Sequence, residues 1–270
     1  MGLVDGQRIL ITGASQGLGA GIARTLADEG AAALLLTARS TARGSAVASS
    51  IRSAHPTVDV TFLPADLASA ADVEALVRAA DAADVTSIVN AAGDTSRGTL
   101  VSTPRGAIEG TFAVNFTAPF LLAQAAVRRW TGGGYERGRI VNVGSSASRG
   151  GAAFLAAYSA SKAALDCLTR NIAGAYAGAG VRCNGVAPDQ IATEGEHAVM
   201  TGPWHGRRDD WVAEADRASA LGRILRPADI GGLVAFLLSD AAAMINGEVI
   251  DIGHQAPMGF VRGDVPTPKE

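Results

Sequence analysis

Cysteine is nearly missing: Cys167 and Cys183 are the only two in 270 residues. Two thiols cannot build a disulfide framework, and no metal-ligand spacing includes them. Both read as small buried fillers. The four histidines, His55, His197, His205 and His254, are scattered, which excludes a histidine cluster for a metal. No uncharged apolar run reaches about 18 residues, the length a membrane helix needs. The opening Met-Gly-Leu-Val-Asp-Gly lacks the basic and apolar stretches of a signal peptide. Neither charge dominates: 23 basic and 26 acidic residues leave a net charge of −3, with no general pull towards nucleic acid or an anionic membrane. These absences predict a soluble cytoplasmic protein with no metal and no nucleic-acid or membrane partner.

Lysine is the scarcest charge. Lys162 and Lys269 are the only lysines, and the other 21 basic residues are arginine. Arginine keeps its proton near neutral pH, whereas the pKa of lysine can be moved. An arginine-rich chain that retains one internal lysine draws attention to that position, although chance also produces such a pattern.

What is present is apolar: 48% of the residues are hydrophobic, enough for a substantial core and too many for a disordered or collagen-like chain. Short apolar runs predict strands at 8–12, 32–37, 58–63, 85–90, 139–143, 182–187 and 248–252. Ala-rich helical patterns lie between them, at 18–29, 42–53, 70–83, 106–130, 157–178 and 227–238. Near-continuous apolar strands belong to sheets covered on both faces, and strand–helix alternation implies parallel pairing with right-handed crossovers. The prediction is a doubly wound α/β fold: one seven-stranded parallel sheet with helices on both faces. Without a repeat or a Pro-rich linker to divide it, residues 1–254 read as one domain, followed by a tail at 255–270. Residues 190–222 break the rhythm and predict a lid.

The first strand runs into Gly13-Ala14-Ser15-Gln16-Gly17-Leu18-Gly19 and then a helix. Glycines let the backbone turn tightly and approach a ligand, and a helix N-terminus offers free N–H groups to a pyrophosphate. Tight strand–helix packing alone also uses glycine, but the place, the first strand–helix junction, points to a dinucleotide and to a Rossmann-type fold. The second strand ends at Ala38-Arg39, where an NAD site usually has an acidic residue for the ribose hydroxyls. An arginine without that carboxylate suits a 2′-phosphate, so the expected cofactor is NADP(H).

Tyr158 and Lys162 stand four apart at the start of a helix pattern and share one face. A nearby ammonium stabilises phenolate, which would lower the Tyr158 pKa from about 10 and make it a general acid/base.

With these motifs the sequence resembles the short-chain dehydrogenase/reductases over about residues 5–253. Thr12-Gly13-x-x-x-Gly17-x-Gly19 matches the family's cofactor turn. Asp66 and Leu67 match its adenine-contacting segment. Asn90-Ala91-Ala92-Gly93 is similar to the segment after its fourth strand, with Ala91 in place of an asparagine. Asn115 matches the residue that holds a water against the lysine. The family's serine lies 13 residues before the tyrosine, at Ser145, with Ser146 the adjacent alternative. Pro188, Ile191 and Thr193 match positions beside the nicotinamide. Asp189 and Asp251-Ile252-Gly253-His254 depart from the usual Pro-Gly and Asp-Gly-Gly.

The resemblance implies hydride transfer between NADPH and a carbonyl, with Asn115, Ser145, Tyr158 and Lys162 catalytic. Tyr158 and Lys162 also touch the cofactor, and Ser145 and Tyr158 the substrate. It also implies a tetramer or dimer formed through the helices near 106–130 and 157–178. Trp204 and Trp211 in the lid are the expected substrate contacts for an apolar or ring-bearing molecule, unless they only pack the lid. Arg128 and Arg129 offer a docking point for an acyl carrier protein, unless they serve the dipole of the helix they end. The expected activity is ketone reduction, with a secondary metabolite or a 3-oxoacyl compound as the candidate substrate. Oxidation of a secondary alcohol and a non-catalytic NADP-sensing module are the alternatives.

Overall fold

A computed structural model describes residues 2–133 and 137–253. The seven strands are β1 (Arg8–Thr12), β2 (Ala33–Ala38), β3 (Asp59–Pro64), β4 (Ser87–Asn90), β5 (Gly138–Val143), β6 (Val181–Pro188) and β7 (Val249–Ile252). They form one parallel sheet in the order β3-β2-β1-β4-β5-β6-β7. Successive side chains on a strand face opposite ways, so Ile9 and Ile11 enter one apolar layer and Leu10 the other.

The first layer is closed by α1 (Gly17–Asp28), α2 (Thr41–Ala54) and α9 (Pro227–Leu238), which contribute Ile22, Ile51 and Val234. The second is closed by α3 (Ala70–Ala82), α5 (Ala118–Gly132) and α6 (Ala156–Tyr176), which contribute Leu76, Leu122 and Leu165. The doubly wound single-domain architecture is therefore the one expected. His254 and the tail 255–270 lie outside the described residues.

Four local features differ from expectation. β4 starts at Ser87, not at residue 85, because the Val85 N–H bonds Ala80 O and closes α3 through Asp84, whose φ is 56°. The helix expected at 106–130 is divided into α4 (Arg105–Phe112), a π-helical turn (Ala113–Thr117) and α5. This stretch, Arg105–Gly132, has the length and apolar character of a membrane span, yet Leu122, Val127 and Trp130 are buried against the sheet. The 190–222 segment contains two helices, α7 (Glu194–Thr201) and α8 (Trp211–Ala218). Cys167 is exposed, since it falls between the buried Asp166 and Leu168 on the outer side of α6; only Cys183 is a buried filler.

Arg129 is not open to a carrier protein. Its guanidinium pairs with Asp84, lies 3.9 Å from Asp81 and donates to Val85 O at 3.2 Å. Arg128 is exposed.

Candidate active site

β1 and β4 lie side by side while their crossovers run in opposite directions, which opens a crevice at the carboxyl ends of the strands. Thr12 closes its floor: Oγ1 accepts the N–H groups of Ala91 and Ala92, each at 3.0 Å. The glycine turn sits above. Gly13 has φ +71°, and a Cβ there would lie 2.7 Å from Ala92 Cα. A Cβ on Gly19 would lie 2.3 Å from Gly13 O. The backbone can pack this tightly only with glycine. Ser40, Ser69 and Thr193 cap α2, α3 and α7, whereas Gln16 provides no side-chain cap for α1. The first turn of α1 also lacks an acidic residue. Its N–H groups therefore face the crevice without a side-chain partner, which fits a pyrophosphate. Ser15 and Leu18 are half-buried in this turn, Leu18 against the core.

Ala38 ends β2 and Arg39 follows, exposed; among the described residues no carboxylate stands within ion-pair distance of Arg39. Asp66 follows β3, and its Oδ1 accepts the Ala68 N–H at 3.0 Å. The Leu67 side chain is buried in the core. Asn90 donates to Asn142 Oδ1 at 2.8 Å. Thr193 is close enough to the turn that a Cβ on Gly17 would touch it at 3.4 Å, so the start of the lid adjoins the cradle. Pro188 ends β6, and Ile191 bridges to Leu225.

Tyr158 and Lys162 occupy the first turns of α6, and Lys162 Nζ lies 5.9 Å from the Tyr158 ring centre. Lys162 is 3% exposed and donates to Val143 O at 2.7 Å. Burial lowers its pKa to about 8, against the raising effect of Asp166. Burial also raises the Tyr158 pKa, while the Ser145 hydroxyl and then the Arg97 charge lower it. The expectation that Lys162 lowers the phenol pKa is therefore not what this structure gives. The low-dielectric site pushes both groups towards neutrality, and the cation acting on the phenol is Arg97. Ser145 follows β5 in extended conformation, its Oγ accepting the Ala147 N–H at 3.1 Å, whereas Ser146 begins a 3₁₀ turn.

Asn115 lies in the π-helical turn. Its Oδ1 accepts the Asp94 N–H at 2.8 Å, and its Nδ2 donates to Asp94 O at 2.9 Å and Ser161 Oγ at 3.0 Å. The side chain thus ties the loop after β4 to α6. Both Asn115 Oδ1 and Lys162 Nζ lie within 3.9 Å of the place a Gly93 Cβ would take, so glycine leaves space between them.

The family model for short chain dehydrogenase matches residues 7–203. The chain belongs to the short-chain dehydrogenase/reductase family. It is 34% identical to a D-threitol dehydrogenase of Mycolicibacterium smegmatis, over 93% of this chain and 94% of that one. Among solved structures it resembles a short-chain dehydrogenase of Burkholderia cenocepacia in complex with NADP (32% identity, TM-score 0.79, 93% of this chain and 97% of that one). It also resembles a 3-oxoacyl (acyl-carrier-protein) reductase of Agrobacterium tumefaciens with NADP bound (28% identity, TM-score 0.82, 92% of this chain and 93% of that one). The short-chain dehydrogenase/reductases are oxidoreductases that act on alcohols and ketones with a nicotinamide cofactor.

Within this short-chain dehydrogenase/reductase the 190–222 segment is held by its own polar contacts. Trp211 is 2% exposed and donates from Nε1 to His197 Nδ1 at 3.1 Å, so its indole is spent on packing that segment. Trp204 is half-buried in the connection between α7 and α8. His205 stacks edge-on against Phe154 at 5.1 Å, and burial, Arg97 and Arg207 hold its pKa low. A cavity of about 270 Å³ opens behind the lid, walled by Asp189, Met200, Trp211 and Leu225 among others.

Sequence reasoning missed Arg97, Glu196 and Asp166. The first had a signal: it follows the carboxyl end of β4, where ligands of open α/β sheets bind. Asp166 and Glu196 had none, since only packing shows that Asp166 is buried near Lys162 and that Glu196, half-buried, is near Arg97.

Proposed function

We propose that the protein reduces a ketone to a secondary alcohol with NADPH. The observation that carries this reading is the meeting of Tyr158, Ser145 and Lys162 beside the glycine cradle. The glycine turn and α1 would hold the pyrophosphate, Arg39 the 2′-phosphate, and Asp66, Leu67 and residues 90–93 the adenosine side. Pro188, Ile191 and Thr193 would hold the nicotinamide end. The missing carboxylate at Ala38 and the NADP-bound relatives support NADP over NAD. Bound NADPH would supply the hydride to the carbonyl carbon.

The protein's own residues manage the proton. Burial keeps the Tyr158 phenol protonated at neutral pH, the state a proton donor needs. Tyr158 gives that proton to the carbonyl oxygen, and Ser145 hydrogen-bonds the same oxygen. Lys162 would hold the ribose hydroxyls, and the space beside Gly93 would take a water, ordered by Asn115, that relays protons to Lys162. Alcohol oxidation would use the same groups in reverse. A homo-oligomer, cytoplasmic in location, completes the proposal. Exposed Ile108, Phe120, Leu121 and Tyr176 on α4, α5 and α6 support association of copies.

The test is Tyr158→Phe, assayed by NADPH consumption with cyclic ketones, β-keto thioesters and aromatic polyketide analogues. Turnover should vanish while NADPH binding, followed by fluorescence, persists. Turnover near the parental rate would remove Tyr158 as the acid. A parent protein that binds NADPH without reducing any ketone would favour the non-catalytic reading.

A further inference from the structure

Arg97 lies on the loop between β4 and α4, where nothing above gives it a substrate role. The loop is anchored: Gly98 donates to Phe154 O at 3.0 Å and pairs with Leu155 just before α6. The guanidinium is half-buried, donating from Nη1 to Thr95 O at 2.5 Å and from Nε to His205 Nε2 at 3.5 Å. Neither partner is an anion. Among the described residues, no Asp or Glu stands within 4.0 Å of Arg97, although its charge reaches Glu196 and Tyr158 through space. A cation withdrawn from water normally has an anionic partner, because desolvation is costly without one.

We propose that Arg97 anchors a carboxylate carried by the substrate close to its reacting carbonyl, so that the protein acts on keto acids and hydroxy acids in preference to neutral ketones. This rests on the ketoreductase reading, whose substrate class it narrows. The planar guanidinium matches a carboxylate bidentately, and the N–H groups not held by Thr95 and His205 are the ones available. The anchor would lie beside the acid, since Arg97 acts on the Tyr158 phenol. A singly charged carboxylate balances the one positive charge of Arg97, which a doubly charged phosphate ester would overfill. Glu196 faces the same space from α7. Burial, opposed by Arg97 and reinforced by Asp189, holds its carboxyl above the usual range.

The test is calorimetric titration of 3-hydroxybutyrate and gluconate, against their amides, into protein saturated with NADP⁺. Wild type should bind the acids about tenfold or more tightly than the amides. Arg97→Gln should erase that difference while leaving NADP⁺ affinity unchanged, and Arg97→Lys should keep part of it. Equal affinity for acid and amide in wild type, no binding of either, or an undiminished acid preference in Arg97→Gln would each overturn the proposal. So would a loss shared equally by acid and amide, which would mark Arg97 as a latch between loop and lid. Tyr158-dependent ketone reduction without acid preference would defeat the anchor and leave the ketoreductase standing. Arg97-dependent acid binding without Tyr158-dependent turnover would do the reverse.

Discussion

Replacing Lys162 with methionine should stabilise the protein at neutral pH while abolishing turnover. Lys162 is 3% exposed, and burial moves its pKa from 10.5 to about 8. At about 1.4 kcal/mol per unit, the folded state carries a charging cost of about 3 kcal/mol at pH 7. Methionine is of similar length and uncharged, so it removes that cost. It also leaves Val143 O without the 2.7 Å donor, which costs about 1–2 kcal/mol. The net gain at pH 7 is therefore about 1–2 kcal/mol. Between about pH 8 and 10.5 the unfolded chain keeps a proton that the folded one has lost. Wild-type stability thus rises with pH across this window relative to the variant. Near its top the neutral amine still donates to Val143 O at no charging cost, so the order of stabilities inverts. Urea unfolding of both proteins at pH 7, 8.5 and 9.5 measures the difference, and Trp130 and Trp211, both fully buried, supply the fluorescence signal. A difference independent of pH, or a wild type that is the more stable at pH 7, would refute the reasoning.

Ala38→Asp should shift cofactor choice towards NADH by about tenfold or more, since a carboxylate there bonds ribose hydroxyls and repels a 2′-phosphate. KM values for NADH and NADPH report it, and an unchanged ratio would remove the β2 end from cofactor selection. Gly19→Ala places a methyl carbon 2.3 Å from Gly13 O, so it should cost about 1–3 kcal/mol and weaken NADPH binding. Unaltered affinity with an unaltered melting temperature would mean that the turn is not the cradle described.

The sheet and most helices were legible because apolar periodicity is a local property. β1 and α9 match their expected bounds, as residues 9–12 are a run of buried residues and Pro227 suits a first helical turn. The π-helical turn at Ala113–Thr117 had a signal that went unread: Pro119 has no N–H for the Asn115 carbonyl four residues back, so a regular α-helix cannot run unbroken through 106–130. Spacing also brought Tyr158 and Lys162 together correctly, because an i, i+4 pair shares a helix face. The direction of the Tyr158 shift was misread. That depends on how far water is excluded, and sequence spacing says little about it. Arg97 comes from a segment far from the one that carries Asp189 and Glu196, and only the folded chain brings them together.

The scarcity of lysine acquires a physical reason in this setting. Arg39 is open to water and Arg129 is charge-paired, settings where a permanent cation is tolerated. Lys162 has neither advantage: it is sealed behind α6, its nearest bonded partner is the neutral Val143 carbonyl, and Asp166 gives only a through-space charge. An arginine there could not lose its proton to escape the cost of burial. Lysine can, and a pKa of about 8 lets it gain or lose a proton within reach of neutral pH. The cleft therefore holds two cations of different kinds. Arg97 keeps its charge and suits the holding of an anion, whereas Lys162 exchanges its proton and suits the replenishing of Tyr158.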